Sequence, residues 1–128
     1  MIYKLPKPLY HGTSRAAIPL IATGRFLPPL SLTEDKRMAI HYAKARAAQI
    51  EEQYPNALKG YVVYTFKSVP NKAFLKKDTY SPRELGQWVY NRKMSVYQHI
   101  SRAEEFPLNV SREERMRLRA YAVGMGWR

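Results

Sequence analysis

A chain of 128 residues with 45% hydrophobic content has the size of one domain, here taken as residues 1–128, and enough apolar material to argue against disorder. Its 22 Lys and Arg against ten acids leave a net charge of +12, so anionic partners are expected: nucleic acid, an acidic protein or a phosphate-bearing small molecule. The absence of Cys excludes a disulfide framework, a thiolate nucleophile and a Cys-based zinc site, and with no apolar run of span length and no apolar leader, a cytoplasmic setting without membrane association is expected.

Pro8-Leu9-Tyr10 reads as a short strand running into a turn at His11-Gly12-Thr13-Ser14. A brief helix is expected around residues 17–23, with Pro19 in its first turn, where a missing N–H is harmless, and Gly24 as the C′ residue. Residues 26–32 form an extended stretch that Pro28 and Pro29 confine to a sheet edge or strand start. Thr33 then serves as N-cap of a longer helix, with Glu34 and Asp35 complementing its macrodipole. Ala39, Tyr42, Ala43, Ala47, Ile50 and Tyr54 share one stripe of that helix, which Pro55 or Asn56 ends. Residues 60–66, rich in β-branched and aromatic side chains, give the clearest strand.

The remainder reads as mainly helical. Ser81-Pro82-Arg83-Glu84 is a capping box with Pro at N1, predicting a helix that buries Leu85, Trp88, Val89, Val96 and Ile100. Ser111-Arg112-Glu113-Glu114 is a second capping box, opening a helix that Gly124 ends. The expected class is α+β, with two or three recognisable strands, about four helices, and further strands hidden in irregular segments.

Chemistry concentrates in residues 10–43. Tyr10-His11-Gly12-Thr13 puts an imidazole beside a glycine where a ligand can approach the backbone closely. Ser31-Leu32-Thr33 places two hydroxyls at a strand-to-helix junction, where free N–H groups can meet an anion or a carbonyl. His41-Tyr42 offers an aromatic face to a planar ring. Each also has a structural explanation: His11 bonding a turn, Thr33 capping a helix, Tyr42 filling the apolar stripe.

The ordered set of Leu9-Tyr10-His11-Gly12-Thr13-Ser14, a helix over 18–24, Leu30-Ser31-Leu32-Thr33-Glu34-Asp35 and Ala39-Ile40-His41-Tyr42-Ala43 resembles the NAD-binding half of ADP-ribosyltransferases. The likeness is to the branch with a His-Tyr-acidic signature, which includes the small rifampicin-modifying bacterial enzymes, and it covers about residues 8–66. It implies a small split β-sheet with flanking helices, NAD as substrate, and transfer of ADP-ribose to a protein, nucleic acid or small molecule. Plain NAD⁺ hydrolysis, or 2′-phosphate transfer from RNA as in a cousin family, stands beside it. The resemblance implies that His11 holds a ribose hydroxyl and that Gly12 backbone groups bind the nicotinamide amide. Ser31 or Thr33 would assist and Tyr42 would stack on the ring, with Tyr10 and Thr13 completing the set and Lys or Arg on the pyrophosphate. Where relatives carry a tyrosine ahead of the Ser-Leu-Thr run, this chain reads Pro28-Pro29-Leu30.

The resemblance also requires an acid that stabilises the ribosyl cation and orients the acceptor. Glu34, Asp35, Glu113 and Glu114 are assigned to first helical turns, Glu84 to a capping box, and Glu51 and Glu52 to an exposed helix side. Asp78, Glu104 and Glu105 remain, and Asp78 follows the clear strand at a distance resembling the acidic position of the rifampicin-modifying enzymes. The catalytic set is therefore His11, Tyr42 and Asp78, with Glu104 or Glu105 as alternatives to the last. His11, His41 and His99 lack metal-ligand spacing, so no metal is expected. Basic residues on the two late helices (Arg83, Arg92 and Lys93; Arg112, Arg115, Arg117 and Arg119) interleave with Trp88, Tyr90 and Tyr97. They suit either a solvated face or phosphate and base contacts. The alternative to an enzyme is a non-catalytic basic module that binds nucleic acid or a host protein on a degenerate transferase fold.

Overall fold

The computed structural model describes residues 2–21, 25–26, 29–78 and 86–125, and these form an α+β fold. The chain begins with a long strand β1 (Tyr3–Ser14), a 3-10 turn (Arg15–Ala17) and a single helical turn α1 (Ile18–Ile21). Short strands β2 (Arg25–Phe26) and β3 (Leu30–Thr33) lead into the main helix α2 (Lys36–Gln53). After it come β4 (Tyr61–Val69), a 3-10 turn (Lys72–Phe74), β5 (Leu75–Lys77), β6 (Gln87–Tyr90) and β7 (Met94–Ser95). A helical turn α3 (Val96–His99), strand β8 (Ile100–Phe106) and helix α4 (Arg112–Gly124) complete the described chain.

Six strands form one antiparallel sheet in the order β5-β6-β3-β1-β4-β8, and β2 pairs with β7 in a small second sheet. The central pair is β1 with β4, in register from His11 opposite Tyr64 to Ser14 opposite Tyr61. One sheet face buries Leu9, Leu32, Val62, Tyr64, Phe66 and Tyr90 in the largest apolar cluster. The other face carries α2, whose Ala39, Ala43 and Ala47 pack on Tyr61 and Val63. Small side chains on that stripe let the helix lie close to the sheet, and closest at Gly12, where a Cβ would sit 1.9 Å from the Ala39 carbonyl oxygen. Helix α4 lies over the outer side of α2 through Leu118 against Ala45 and Ala48. Arg115–Glu51 and Arg119–Glu52 ion pairs join the same two helices.

Several expectations change here. His11, Gly12 and Thr13 lie within β1 rather than in a turn, because β4 pairs with that whole segment. Thr33 ends β3, and the N-cap of α2 is Asp35, whose Oδ1 accepts from the Arg37 N–H at 2.9 Å. Trp88 and Val89, assigned to a helix, belong to β6, which is hydrogen-bonded on both sides by β3 and β5. The capping box at 81–84, Gly24 and Pro28 lie outside the described residues. Ile100 begins β8, so among the described residues of that region only Val96–His99 is helical. Glu51 is not on an exposed side, since its side chain is 10% exposed. The second capping box forms as expected, with Ser111 Oγ accepting from the Glu114 N–H at 3.1 Å. Among the described residues no helix is long and apolar enough to cross a membrane.

Candidate functional site

A cavity of about 420 Å³ opens between α2 and the sheet, at the place where β1 and β3 part. Its floor follows from strand register. Tyr10 on β1 pairs with Thr33 on β3, Thr33 pairs with Gln87 on β6, and the Asp78 N–H donates to the Gln87 carbonyl at 2.9 Å. Four residues distant in sequence thereby form a row across the sheet, and all four line the cavity. Beyond Tyr10, β1 adds His11, Gly12 and Thr13, and β3 adds Ser31 and Leu32. Helix α2 supplies Ala39, Tyr42 and Arg46 at helical spacing, and Met125 closes one side from the end of α4.

The imidazole of His11 spans the gap between the parting strands. Its Nδ1 lies 2.8 Å from the Ser31 carbonyl oxygen, which can only accept, so Nδ1 carries the proton. Burial pushes the His11 pKa below its ordinary value, while the Ser31 hydrogen bond opposes that shift. At neutral pH the ring is therefore neutral, with the acceptor lone pair on Nε2. Thr33, 2% exposed, has a fixed hydroxyl: Oγ1 accepts from the Asp35 N–H at 3.1 Å and from Gln87 Nε2 at 2.9 Å. With both lone pairs accepting, the Thr33 hydroxyl hydrogen is directed away from both donors.

The aromatic wall is braced from outside. Tyr42 stacks on Tyr121 of α4 with centroids 6.1 Å apart and planes at 27°, and Tyr121 meets His41 edge-on at 4.5 Å. His41 itself is exposed and is not among the cavity-lining residues. One turn beyond Tyr42, Arg46 holds its guanidinium by donating from Nη1 to Gln49 Oε1 at 2.6 Å.

All of Tyr10, His11, Gly12, Thr13, Ser31, Thr33, Tyr42 and Asp78 thus meet in one cavity. Of the three candidate acids, only Asp78 lines it. Glu104 pairs with Lys36 at 2.7 Å, which holds its carboxyl below the usual range, and Glu105 pairs with Arg15 at 3.0 Å. Comparison with protein-family models, curated proteins and solved structures found no match for this chain.

Two polar cavity residues were missing from the sequence-based set. Arg46 carried a usable signal, because it stands four residues after Tyr42 on the same helix face. Gln87 was hidden inside the misassigned helix, although Gln87-Trp88-Val89-Tyr90 has strand composition.

Proposed function

We propose that the protein is an NAD-dependent ADP-ribosyltransferase, with the cavity between α2 and the sheet holding the nicotinamide–ribose end of NAD⁺. The observation that carries this is the convergence, in one cavity, of His11, Tyr42 and Asp78, the one lining carboxylate among the described residues. A volume of about 420 Å³ suits one half of a dinucleotide, within the range of small-molecule sites. A split β-sheet of transferase type belongs to the same proposal, supported by the parting of β1 from β3 beyond Tyr10 and Thr33.

In this reading His11 Nε2 accepts a hydrogen bond from a ribose hydroxyl, because Nδ1 is committed to Ser31. Tyr42, stiffened by Tyr121, offers its ring to the pyridinium, and the Thr33 hydroxyl donates to the carboxamide oxygen. Arg46 lies one turn along α2 to meet the pyrophosphate. The C1′–N bond breaks and its electron pair passes to the ring nitrogen, releasing neutral nicotinamide. The Asp78 carboxylate stabilises the positive charge left on the ribose. An acceptor nucleophile then bonds to C1′ and loses a proton.

Calorimetric titration with NAD⁺ and measurement of released nicotinamide test the proposal. Binding and release are expected in the parent protein, with release lost in His11→Ala; absence of NAD⁺ binding contradicts it. The net charge of +12 favours a second reading, a non-catalytic basic module. That reading expects salt-sensitive binding of polyanions, no nicotinamide release, and no effect of His11→Ala.

A further inference from the structure

The charges of this chain are unevenly spread. Residues 67–103 carry eight Lys and Arg against only Asp78 and Glu84. Elsewhere the carboxylates of residues 34–35, 51–52, 104–105 and 113 are each paired with a Lys or Arg, and every one of those bases lies outside 67–103. Five of these bases, Lys72, Lys76, Lys77, Arg92 and Lys93, lie on or beside the β5–β6 edge of the sheet, while Lys67 and Arg102 stand on β4 and β8.

Three cations there stand over aromatic rings. Lys72 Nζ is 5.3 Å from the centre of the Tyr3 ring, Lys77 Nζ is 5.7 Å from that of Trp88, and the Arg92 guanidinium is 4.5 Å from that of Phe74. Beside them runs an apolar groove of about 120 Å³, floored by Leu5, Leu9 and Leu75 and walled by Tyr3 and Trp88. The indole is held in place: Trp88 Nε1 donates to Glu34 Oε2 at 2.9 Å, and the other oxygen of Glu34 is neutralised by Lys7 at 2.8 Å. The edge also leads to the cavity, because Lys77 pairs with Trp88 one step before Asp78 meets Gln87. Strand alternation puts Lys76 on the side of the sheet that carries Asp78, and Lys77 with Trp88 on the other, so the edge is basic on both faces.

We propose that this edge binds single-stranded nucleic acid. Lysines along an exposed strand match a run of phosphates, and an aromatic-walled apolar groove takes an unpaired base, which a duplex does not offer. An acidic peptide would engage the cations and leave the groove unused. The consequence for function rests on the cavity reading above: a strand bound here passes Asp78 and is the acceptor of ADP-ribose.

Fluorescence anisotropy without NAD⁺ tests the binding, using labelled DNA and RNA oligonucleotides of about twelve nucleotides, single-stranded and duplex, with poly-glutamate as competitor. Both single strands are expected to bind more tightly than duplex and to resist poly-glutamate. In K72A/K76A/R92A, affinity is expected to fall about 100-fold near 0.1 M salt, and the log–log salt slope to shrink by about 2. The triple variant K44A/K59A/R112A removes equal charge elsewhere and is expected to change affinity by about twofold at most. Equal loss in both variants, equal duplex binding, or ready displacement by poly-glutamate overturns the proposal. Mass spectrometry of the oligonucleotide after incubation with NAD⁺ tests the acceptor role. Nicotinamide release without oligonucleotide binding refutes the edge alone, and oligonucleotide binding without nicotinamide release refutes the cavity reading and the acceptor role with it.

Discussion

Gly12→Ala separates two reasons for a glycine beside His11. If the residue is there only to admit a ligand, alanine spares the fold and weakens binding. The structure gives a stronger reason, because a Cβ at this position would lie 1.9 Å from the Ala39 carbonyl oxygen and 2.8 Å from Ala43 Cβ. A backbone oxygen cannot rotate away, so α2 must withdraw by about 1 Å or more from a close-packed sheet. Overpacking of that kind costs about 3 kcal/mol, a large share of the roughly 5–15 kcal/mol that holds a domain folded. For a chain of this size the melting temperature should fall by roughly 10 °C. Thermal unfolding followed by circular dichroism, with urea denaturation beside it, measures the loss. Ala43→Gly in the Gly12→Ala background relieves only the lesser contact and should restore little, since the main obstacle is main chain. A melting temperature within about 3 °C of the parent would refute the reasoning and return Gly12 to a ligand-binding role alone.

Other expectations follow from the caps and the histidines. Ser111→Ala removes the acceptor for the Glu114 N–H and should cost about 1 kcal/mol by urea denaturation. Asp35→Ala should cost a similar amount, about 1 kcal/mol, as the true cap of α2, and so distinguishes the observed cap from the expected one at Thr33. Burial holds His11 and His99 below the ordinary imidazole value, so the unfolded chain binds protons that the folded chain refuses. Stability should be full above about pH 6.5 and fall as pH drops from there through the depressed native values. Melting temperature across this range reads the slope, and His99→Gln, which removes one of the two groups, should flatten it. A pH-independent melting temperature would contradict that linkage.

Legibility of the fold varied with how local its causes are. The Ala39, Ala43, Ala47 stripe, the strand after Gly60 and the Ser111 cap were readable because spacing or a single side chain determines them. Strand β6 was not. Leu85, Trp88, Val89 and Val96 fall at helical spacing, yet Gln87–Tyr90 is decided by pairing with β3 and β5 on either side. Strand β8 was hidden because it is mostly exposed and carries Arg102, Glu104 and Glu105 without an apolar alternation. Gly12 reads in the sequence as opening the backbone to a ligand, since the helix it admits is not visible in its own neighbourhood. The candidate site suffered less. Most of its members sit on β1, β3 and α2, which are close in sequence, while Gln87 depends on the register of a strand that was missed.

Nicotinamide release by Asp78→Asn decides whether the cavity cleaves NAD⁺ with Asp78 as its carboxylate, as proposed. The substitution keeps the shape of the side chain and removes its charge. NAD⁺ binding measured by calorimetry is expected to persist while release falls by about 100-fold or more, the scale of losing one electrostatic stabiliser of the transition state. Release at the parent rate in Asp78→Asn, or no release from the parent protein itself, would contradict it.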